Sequence, residues 1–148
     1  MEKQVIISIK GEQSYPGQEQ EVTELITAGM LADCGEDGFT LSYQESEVTG
    51  LEGTLTTIQV EPQRVTLVRV GAVNSQMVFE EGRHHSSMYD TPYGALEIGI
   101  KTRRMRSNLG KSGGDILIDY GLEIDHGAVG SNRFRINVRE AGGPHISQ

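Results

Sequence analysis

The sequence lacks the features that stabilise a secreted chain or anchor one in a membrane. A single cysteine among 148 residues rules out a disulfide within the chain. The longest apolar runs, such as Val5-Ile6-Ile7, fall well short of the roughly 20 residues that a spanning helix needs. The opening Met1-Glu2-Lys3-Gln4 has no apolar core of the kind found in signal peptides. We therefore expect a cytoplasmic protein that does not enter a membrane.

Positive charge is also scarce. The sequence has 13 Lys and Arg and 21 Asp and Glu, which gives a formal net charge of -8. A field of that sign repels a phosphate backbone, so the sequence disfavours nucleic acid as a partner unless a local basic patch overrides it. The pattern gives no indication of an oligomeric state.

Few features of the sequence favour helices. Glycine is abundant at 19 residues, whereas proline numbers four and tryptophan is absent. Apolar and polar residues alternate along most of the chain, which places successive side chains on opposite faces of a strand. The alternation predicts strands over 5–10, 21–33, 39–45, 54–61, 65–70, 77–81, 84–89, 95–106, 116–124 and 134–139.

Strand 21–33 has a helical alternative, because Val22, Leu25, Ile26 and Met30 could share one helical face. Between the last three strands we predict loops over Asn108 to Gly114 and over Gly127 to Gly130. Short spacing without intervening helices points to antiparallel pairing, and closure of the sheet removes exposed edges. We therefore predict an all-β fold, a single antiparallel barrel of about eight to ten strands spanning 1–148, with a frayed tail from about 141.

Several short motifs fail as catalytic or cofactor sites. Gly110-Lys111-Ser112 resembles the end of a phosphate-binding loop, but the first glycine of that motif would fall at Met105. No nucleophile-elbow pattern accompanies the serines. The adjacent His84 and His85 must point to opposite faces of a strand, which disfavours a shared metal. The sequence thus predicts no catalytic residues, no metal and no cofactor.

Larger segments together resemble a known bacterial family. They are Leu41-Ser42-Tyr43-Gln44-Glu45-Ser46, Gly50-Leu51-Glu52-Gly53-Thr54, Phe79-Glu80-Glu81-Gly82 and Tyr89-Asp90-Thr91-Pro92-Tyr93-Gly94, extended by Thr102, Tyr120 and Asn132-Arg133-Phe134. The combined spacing covers essentially the whole chain and resembles the YwiB-like family. The resemblance implies a calycin-type, lipocalin-like β-barrel from a small cytosolic protein of unassigned function, and it implies no catalytic residues.

Polar residues inside the most regular strands form the candidate binding set. They are Tyr43, Glu45, Thr54, Thr56, Arg69, Arg83, His85, Tyr89 and Tyr93. If these side chains face inward, they need partners, and a polar cavity would suit a small polar ligand. The alternative is that Glu45 and Arg69 pair on the outer surface while the tyrosines cap the core. Alternation alone does not decide between them, because a one-residue slip in register exchanges inside for outside.

A basic segment supports a different hypothesis. It consists of Lys101, Arg103, Arg104, Arg106 and Lys111. Such a cluster could bind RNA or an acidic protein, although alternation predicts Arg104 and Arg106 on the face opposite Arg103. An enzyme with Glu45 or His85 as acid or base is a third possibility, without a nucleophile or metal to support it. We favour a non-catalytic barrel that binds a small polar molecule over the interaction module and the enzyme.

Overall fold

Ten β-strands make up most of the computed structural model, which describes residues 2–46 and 51–141. They are β1 (Glu2–Ser14), β2 (Glu21–Asp33), β3 (Phe39–Gln44), β4 (Leu55–Val60), β5 (Val65–Val70), β6 (Asn74–Phe79), β7 (His84–Thr91), β8 (Gly94–Ser107), β9 (Gly113–Ile124) and β10 (Gly127–Glu140). Within those ranges the one helical element is a 3₁₀ turn at Gly35–Asp37. The all-β prediction is confirmed, and residues 21–33 form a strand rather than a helix.

The strands form a closed antiparallel barrel. Each strand pairs with the next in sequence, and β1 also pairs with β10, from Val5 opposite Glu140 to Ser14 opposite Ser131. The N–H of Ala141 donates to the Gln4 carbonyl at 3.1 Å, so the first residue of the expected frayed tail is bonded to the barrel. The remainder of that tail, 142–148, lies outside the described residues.

The apolar core fills one end of the barrel. Alternation along β1 turns Val5 and Ile7 fully inward, where they meet Leu31, Phe79 and Ile116 from other strands. We call this the apolar end; the β2–β3, β4–β5, β6–β7 and β8–β9 connections lie there. The opposite end, with the other five connections, is the polar end. The apolar packing leaves the polar end as the part of the interior where a ligand could lie.

Two local irregularities correct the predicted pattern. The predicted loop over Gly127 to Gly130 is wrong, because β10 begins at Gly127. The chain reverses instead at Asp125 and His126, whose positive φ angles of 49° and 70° make a tight turn, and a bulge lies between Ala128 and Gly130. Asp and His adopt positive φ more readily than most other non-glycine residues, but the two glycines that follow drew the predicted loop to 127–130, where the strand has already begun.

The second irregularity changes the basic segment. In the β8–β9 pairing, Thr102 lies opposite Tyr120 and Arg104 opposite Asp119, so Arg103 is the extra residue of a β-bulge. Thr102 is buried, while Arg103 and Arg104 are both exposed. The predicted placement of Arg104 and Arg106 opposite Arg103 is therefore wrong: the bulge shifts the alternation by one residue and turns all three outward.

Within residues 2–46 and 51–141, no helix is long and apolar enough to cross a membrane. The same part of the chain has no group of three or more His, Cys, Asp or Glu side chains placed to hold a metal ion.

Candidate functional site

A row of polar side chains runs around the inside of the barrel at its polar end. In register order across β3 to β7 it comprises Tyr43, Thr56, Arg69, Ser75 and Tyr89. Residues opposite one another share a face of the sheet, so the whole row faces inward. The next inner row consists of Leu41, Ile58, Leu67 and Met77. The polar row therefore lies directly on the apolar core.

A buried ion pair joins Arg69 of this row to Glu45, which directly follows β3. The Glu45 side chain is 2% exposed, and its Oε2 atom lies 3.8 Å from Nε of Arg69, whose side chain is 18% exposed. Thr56 Oγ1 donates a hydrogen bond of 2.5 Å to the same carboxylate oxygen. Burying two charges is costly unless each is paired and hydrogen-bonded, and Arg69 Nε has no hydrogen-bond partner among the described residues. The guanidinium thus has unused donor capacity at the cavity.

Two tyrosines of the site hold their protons tightly. The pKa of Tyr43 is raised to about 12, chiefly by burial and also by the neighbouring Glu45 charge, while Arg69 acts in the opposite direction. Burial also raises the pKa of Tyr120, and here too Arg69 acts in the opposite direction. Arg69 lines the same cavity as both phenols. Both phenols remain uncharged donors at neutral pH.

Asn132 is the most unusual polar group of the site. It is 4% exposed and lies opposite Tyr120 in the β9–β10 pairing. Neither its Nδ2 nor its Oδ1 has a hydrogen-bond partner within the described part of the chain. A buried amide that makes no hydrogen bond loses its hydration without compensation, at a cost of about 1–3 kcal/mol. A buried amide of this kind in the wall of the barrel interior marks a candidate binding position.

A cavity of about 520 Å³ joins these groups. It is lined by Ile9, Gln13, Thr23, Glu24, Leu25, Tyr43, Glu45, Leu51, Arg69, Met77, Tyr89, Ile98, Tyr120, Leu122, Asn132 and Phe134. Thr23 and Glu24 of this set are solvent-exposed, so the cavity reaches the surface beside the start of β2. An outer hollow of about 550 Å³ between β1, β2, β9 and β10 lacks a buried unpartnered group in its lining, so the interior cavity is the candidate site.

Six of the predicted binding residues lie at this cavity or support it. Tyr43, Glu45, Arg69 and Tyr89 line it. Thr56 hydrogen-bonds Glu45, and Thr54 is fully buried, with its carbonyl accepting the N–H of Glu45 at 2.8 Å. The alternative in which Glu45 and Arg69 pair on the outer surface is wrong, because β3 and β5 turn both side chains inward.

The other three predicted residues lie elsewhere. Tyr93 is 99% exposed at the β7–β8 connection, and Arg83 is exposed at the apolar end. His85 is half-buried and lies 2.7 Å from Glu80 Oε1. That contact lowers the pKa of the Glu80 carboxyl, and Arg64 acts in the same direction. These residues do not share a site with Glu45 and Arg69.

Sequence reasoning missed Tyr120 and Asn132, which line the cavity, and Ser75, which does not. Ser75 stands next to Arg69 in the inner row, and its buried hydroxyl has no partner among the described residues. Tyr120 packs edge-on against Phe79, with ring centroids 5.0 Å apart, and lies 5.6 Å from the ring of Phe134. Tyr120 and Asn132 did occur among the segments that carry the family resemblance, and that was the signal that could have found them.

The basic segment lies on the outer surface and is partly neutralised. Arg103 and Arg133 both contact Asp119, at 3.3 and 3.4 Å, and Lys111 lies 3.8 Å from Asp33. No ion pair of Arg104 or Arg106 occurs among residues 2–46 and 51–141. The Gly110-Lys111-Ser112 stretch forms the β8–β9 turn, closed by a bridge between Gly110 and Gly113.

Fold and cavity together define a closed ten-stranded antiparallel barrel with a polar interior site at one end. Residues 7–136 match the family model described as "Domain of unknown function (DUF1934)", and the chain belongs to that family. It is similar to a Bacillus subtilis (strain 168) protein described as "Uncharacterized beta-barrel protein YwiB", with 28% identity over 126 residues that cover 85% of each chain. The predicted resemblance to the YwiB-like family is confirmed.

A solved structure shows the same architecture. The crystal structure of ywiB protein from Bacillus subtilis superposes with a TM-score of 0.79 and 24% identity, over 95% of this chain and 93% of that one. The comparison establishes the barrel fold.

Proposed function

We propose that the protein binds a small polar molecule in the cavity at the polar end of the barrel and does not transform it. The observation that carries this proposal is the Asn132 amide, 4% exposed, lining the cavity and without a partner among the described residues. A ligand that hydrogen-bonds this amide would offset the cost of burying it. The calycin-type architecture implied by the resemblance agrees with a barrel that holds a ligand in its interior.

The rest of the cavity supports binding rather than catalysis. The Glu45 carboxylate, which could otherwise accept a proton, already accepts the Thr56 hydroxyl and faces Arg69. A general base must reach the proton that it abstracts, and these contacts occupy the carboxylate oxygen that faces Arg69. The mixed lining, with aromatic and aliphatic walls and a few convergent polar groups, is typical of small-molecule sites.

Native mass spectrometry of the protein purified from its own host tests this function. We expect an added mass that disappears on denaturation. The double variant Glu45→Gln, Arg69→Met keeps the cavity neutral, removes its ion pair and should lose that mass. Arg104→Met, on the outer surface, is the matched control and should retain it. A wild-type protein without added mass, and without a thermal shift in a panel of polar metabolites, would contradict the proposal.

The outer basic segment favours a second candidate function. Because the bulge at Arg103 turns Arg103, Arg104 and Arg106 outward together, three cations face solvent on one strand. In this alternative the segment Lys101 to Lys111 binds RNA or an acidic protein partner. Salt-dependent retention on an RNA resin, lost in Arg104→Glu plus Arg106→Glu and kept in the cavity double variant, would support it. Equal retention of both variants would count against it.

A further inference from the structure

The Asn132 side chain sets the hydrogen-bonding pattern that a ligand must match. A carboxamide presents one donor, Nδ2, beside one acceptor, Oδ1. Both atoms are unpartnered within the described ranges, and the residue is 4% exposed at the cavity wall. A ligand satisfies both at once when it carries an acceptor beside a donor, as the C=O and N–H of a cyclic amide do. The same pairing lets asparagine read the edge of a nucleobase.

The charges of the cavity favour an uncharged ligand. Its buried charges, Arg69 and Glu45, lie 3.8 Å apart, so this pair has no net charge, and Glu24 adds a negative charge at the solvent-exposed side of the lining. An anion drawn to Arg69 would also face the Glu45 carboxylate, and a cation drawn to Glu45 would face Arg69. The formal charge of -8 on the whole chain adds a field that repels anions. A neutral molecule enters without disturbing the buried pair.

The walls of the cavity favour a planar ring. Tyr89, Tyr120 and Phe134 supply aromatic surfaces, and Ile98 and Leu122 supply aliphatic ones. Flat ring faces pack well against such walls. Arg69 lines the cavity, and its buried Nε makes no hydrogen bond among the described residues, so it remains for a second polar atom on the ring. A volume of about 520 Å³ accommodates one heterocycle with a modest substituent.

We propose that the ligand is a neutral planar heterocycle with an amide edge, either a nucleobase or a simple aromatic lactam, held by Asn132 through paired hydrogen bonds. This inference rests on the small-molecule function proposed above and specifies its ligand. Arg69 donates a hydrogen bond to a second carbonyl or ring nitrogen, and the tyrosines pack on the ring faces.

Calorimetric titration of the full chain with defined probes tests the ligand class. Uracil represents the nucleobases and 2-pyridone the lactams, so the pair distinguishes the two sources. In 1,3-dimethyluracil, methyl groups replace both N–H donors, and we expect binding weaker by about tenfold or more. Orotate, an anionic uracil derivative, and phenylalanine, a zwitterion with a planar ring, should bind more weakly than uracil.

Two variants in β10 test whether the ligand contacts Asn132. Asn132→Leu keeps the approximate size and removes both polar atoms, and we expect it to weaken uracil or 2-pyridone binding by about tenfold or more. Its melting temperature should equal or exceed that of wild type, since an unpaired buried amide is removed. Asn137→Leu is the control: that exposed side chain bonds Asp115 at 2.9 Å on the outer face of β10 and should leave affinity unchanged.

Three results would overturn the inference: equal affinity for uracil and its dimethyl derivative, unchanged affinity in Asn132→Leu, or preferential phenylalanine binding that Arg69→Met abolishes. Preferential phenylalanine binding would leave the proposed function standing and refute the ligand class, and so would a charged metabolite on the host-purified protein. If no probe binds and the host-purified protein carries no added mass, both proposals fail.

Discussion

At the scale of the residue, burial sets the chemistry of the cavity. The register of β5 holds Arg69 inside the barrel beside Thr56, and the backbone hydrogen bond from Glu45 to the Thr54 carbonyl holds Glu45 next to it. Low local polarity strengthens each of these contacts and makes each unpaired group expensive. The unpaired Asn132 amide therefore costs more folding free energy than any exposed charge on this protein.

Tyr43 should impose a distinct pH dependence on stability. Its folded pKa of about 12 lies above the ordinary value of 10.0, so the folded state holds the phenol proton more tightly than the unfolded state does. The resulting stabilisation is fully present below pH 10 and is lost as pH rises through 12. The free energy of unfolding should then fall by up to roughly 1.4 kcal/mol per pH unit from this group.

Urea unfolding at a series of pH values measures the effect, with Tyr43→Phe for comparison. The variant should show a shallower decline between pH 10 and 12. Tyr93→Phe, at the exposed β7–β8 connection, should follow wild type. A Tyr43→Phe profile parallel to wild type would contradict the assignment.

At the scale of the element, alternation indicated the position of every strand, and β-branched segments such as that of β4 supported it. The strand ends and the bulge at Arg103 were not predictable in this way, because a bulge is set by pairing with a distant strand. For the site, Tyr43 and Glu45 could be proposed from their in-strand positions. Asn132 could not, since its place at the cavity depends on how β9 and β10 cross the barrel.

Glycine at one hairpin is required by geometry. Gly71 has a φ of 142°, and a Cβ atom there would lie 2.2 Å from the Gly53 carbonyl oxygen. We expect backbone strain in Gly71→Ala to lower the free energy of unfolding by about 1–3 kcal/mol. The clash with the Gly53 carbonyl should lower it further. Gly94→Ala is the control, because its φ of 131° is similar but no atom lies within 4 Å of the added carbon. Equal shifts of the urea midpoint in the two variants would argue against the clash.

At the scale of the whole molecule, the two ends of the barrel differ in what they contribute. The apolar end supplies packing, with Ile7, Phe79 and Ile116 almost fully enclosed. The polar end retains an ion pair and an unpartnered amide at the cost of stability. Sites that bind ligands are commonly less stable than the scaffold that holds them.

We therefore expect one variant to change stability without changing ligand occupancy, and a second variant to change ligand occupancy without lowering stability. Ile116→Val removes one methyl group from the apolar end and should cost about 0.5–1.5 kcal/mol while leaving the ligand mass on the host-purified protein. Asn132→Leu should do the reverse, with stability kept and the ligand mass lost. Native mass spectrometry and urea unfolding on the same samples measure both quantities. Loss of ligand from Ile116→Val at full folding would show that the two ends are not independent.

The pairing of β1 with β10 makes the strand order circular. Both strands reach the apolar end, where Glu2 and Glu140 lie, away from the cavity. A peptide linker across those positions, with new termini cut into the β4–β5 turn at Pro62, would preserve every neighbour relation around the barrel and leave the polar-end connections intact. We therefore expect the protein to tolerate circular permutation. A reporter domain fused at the new termini would lie far from the cavity.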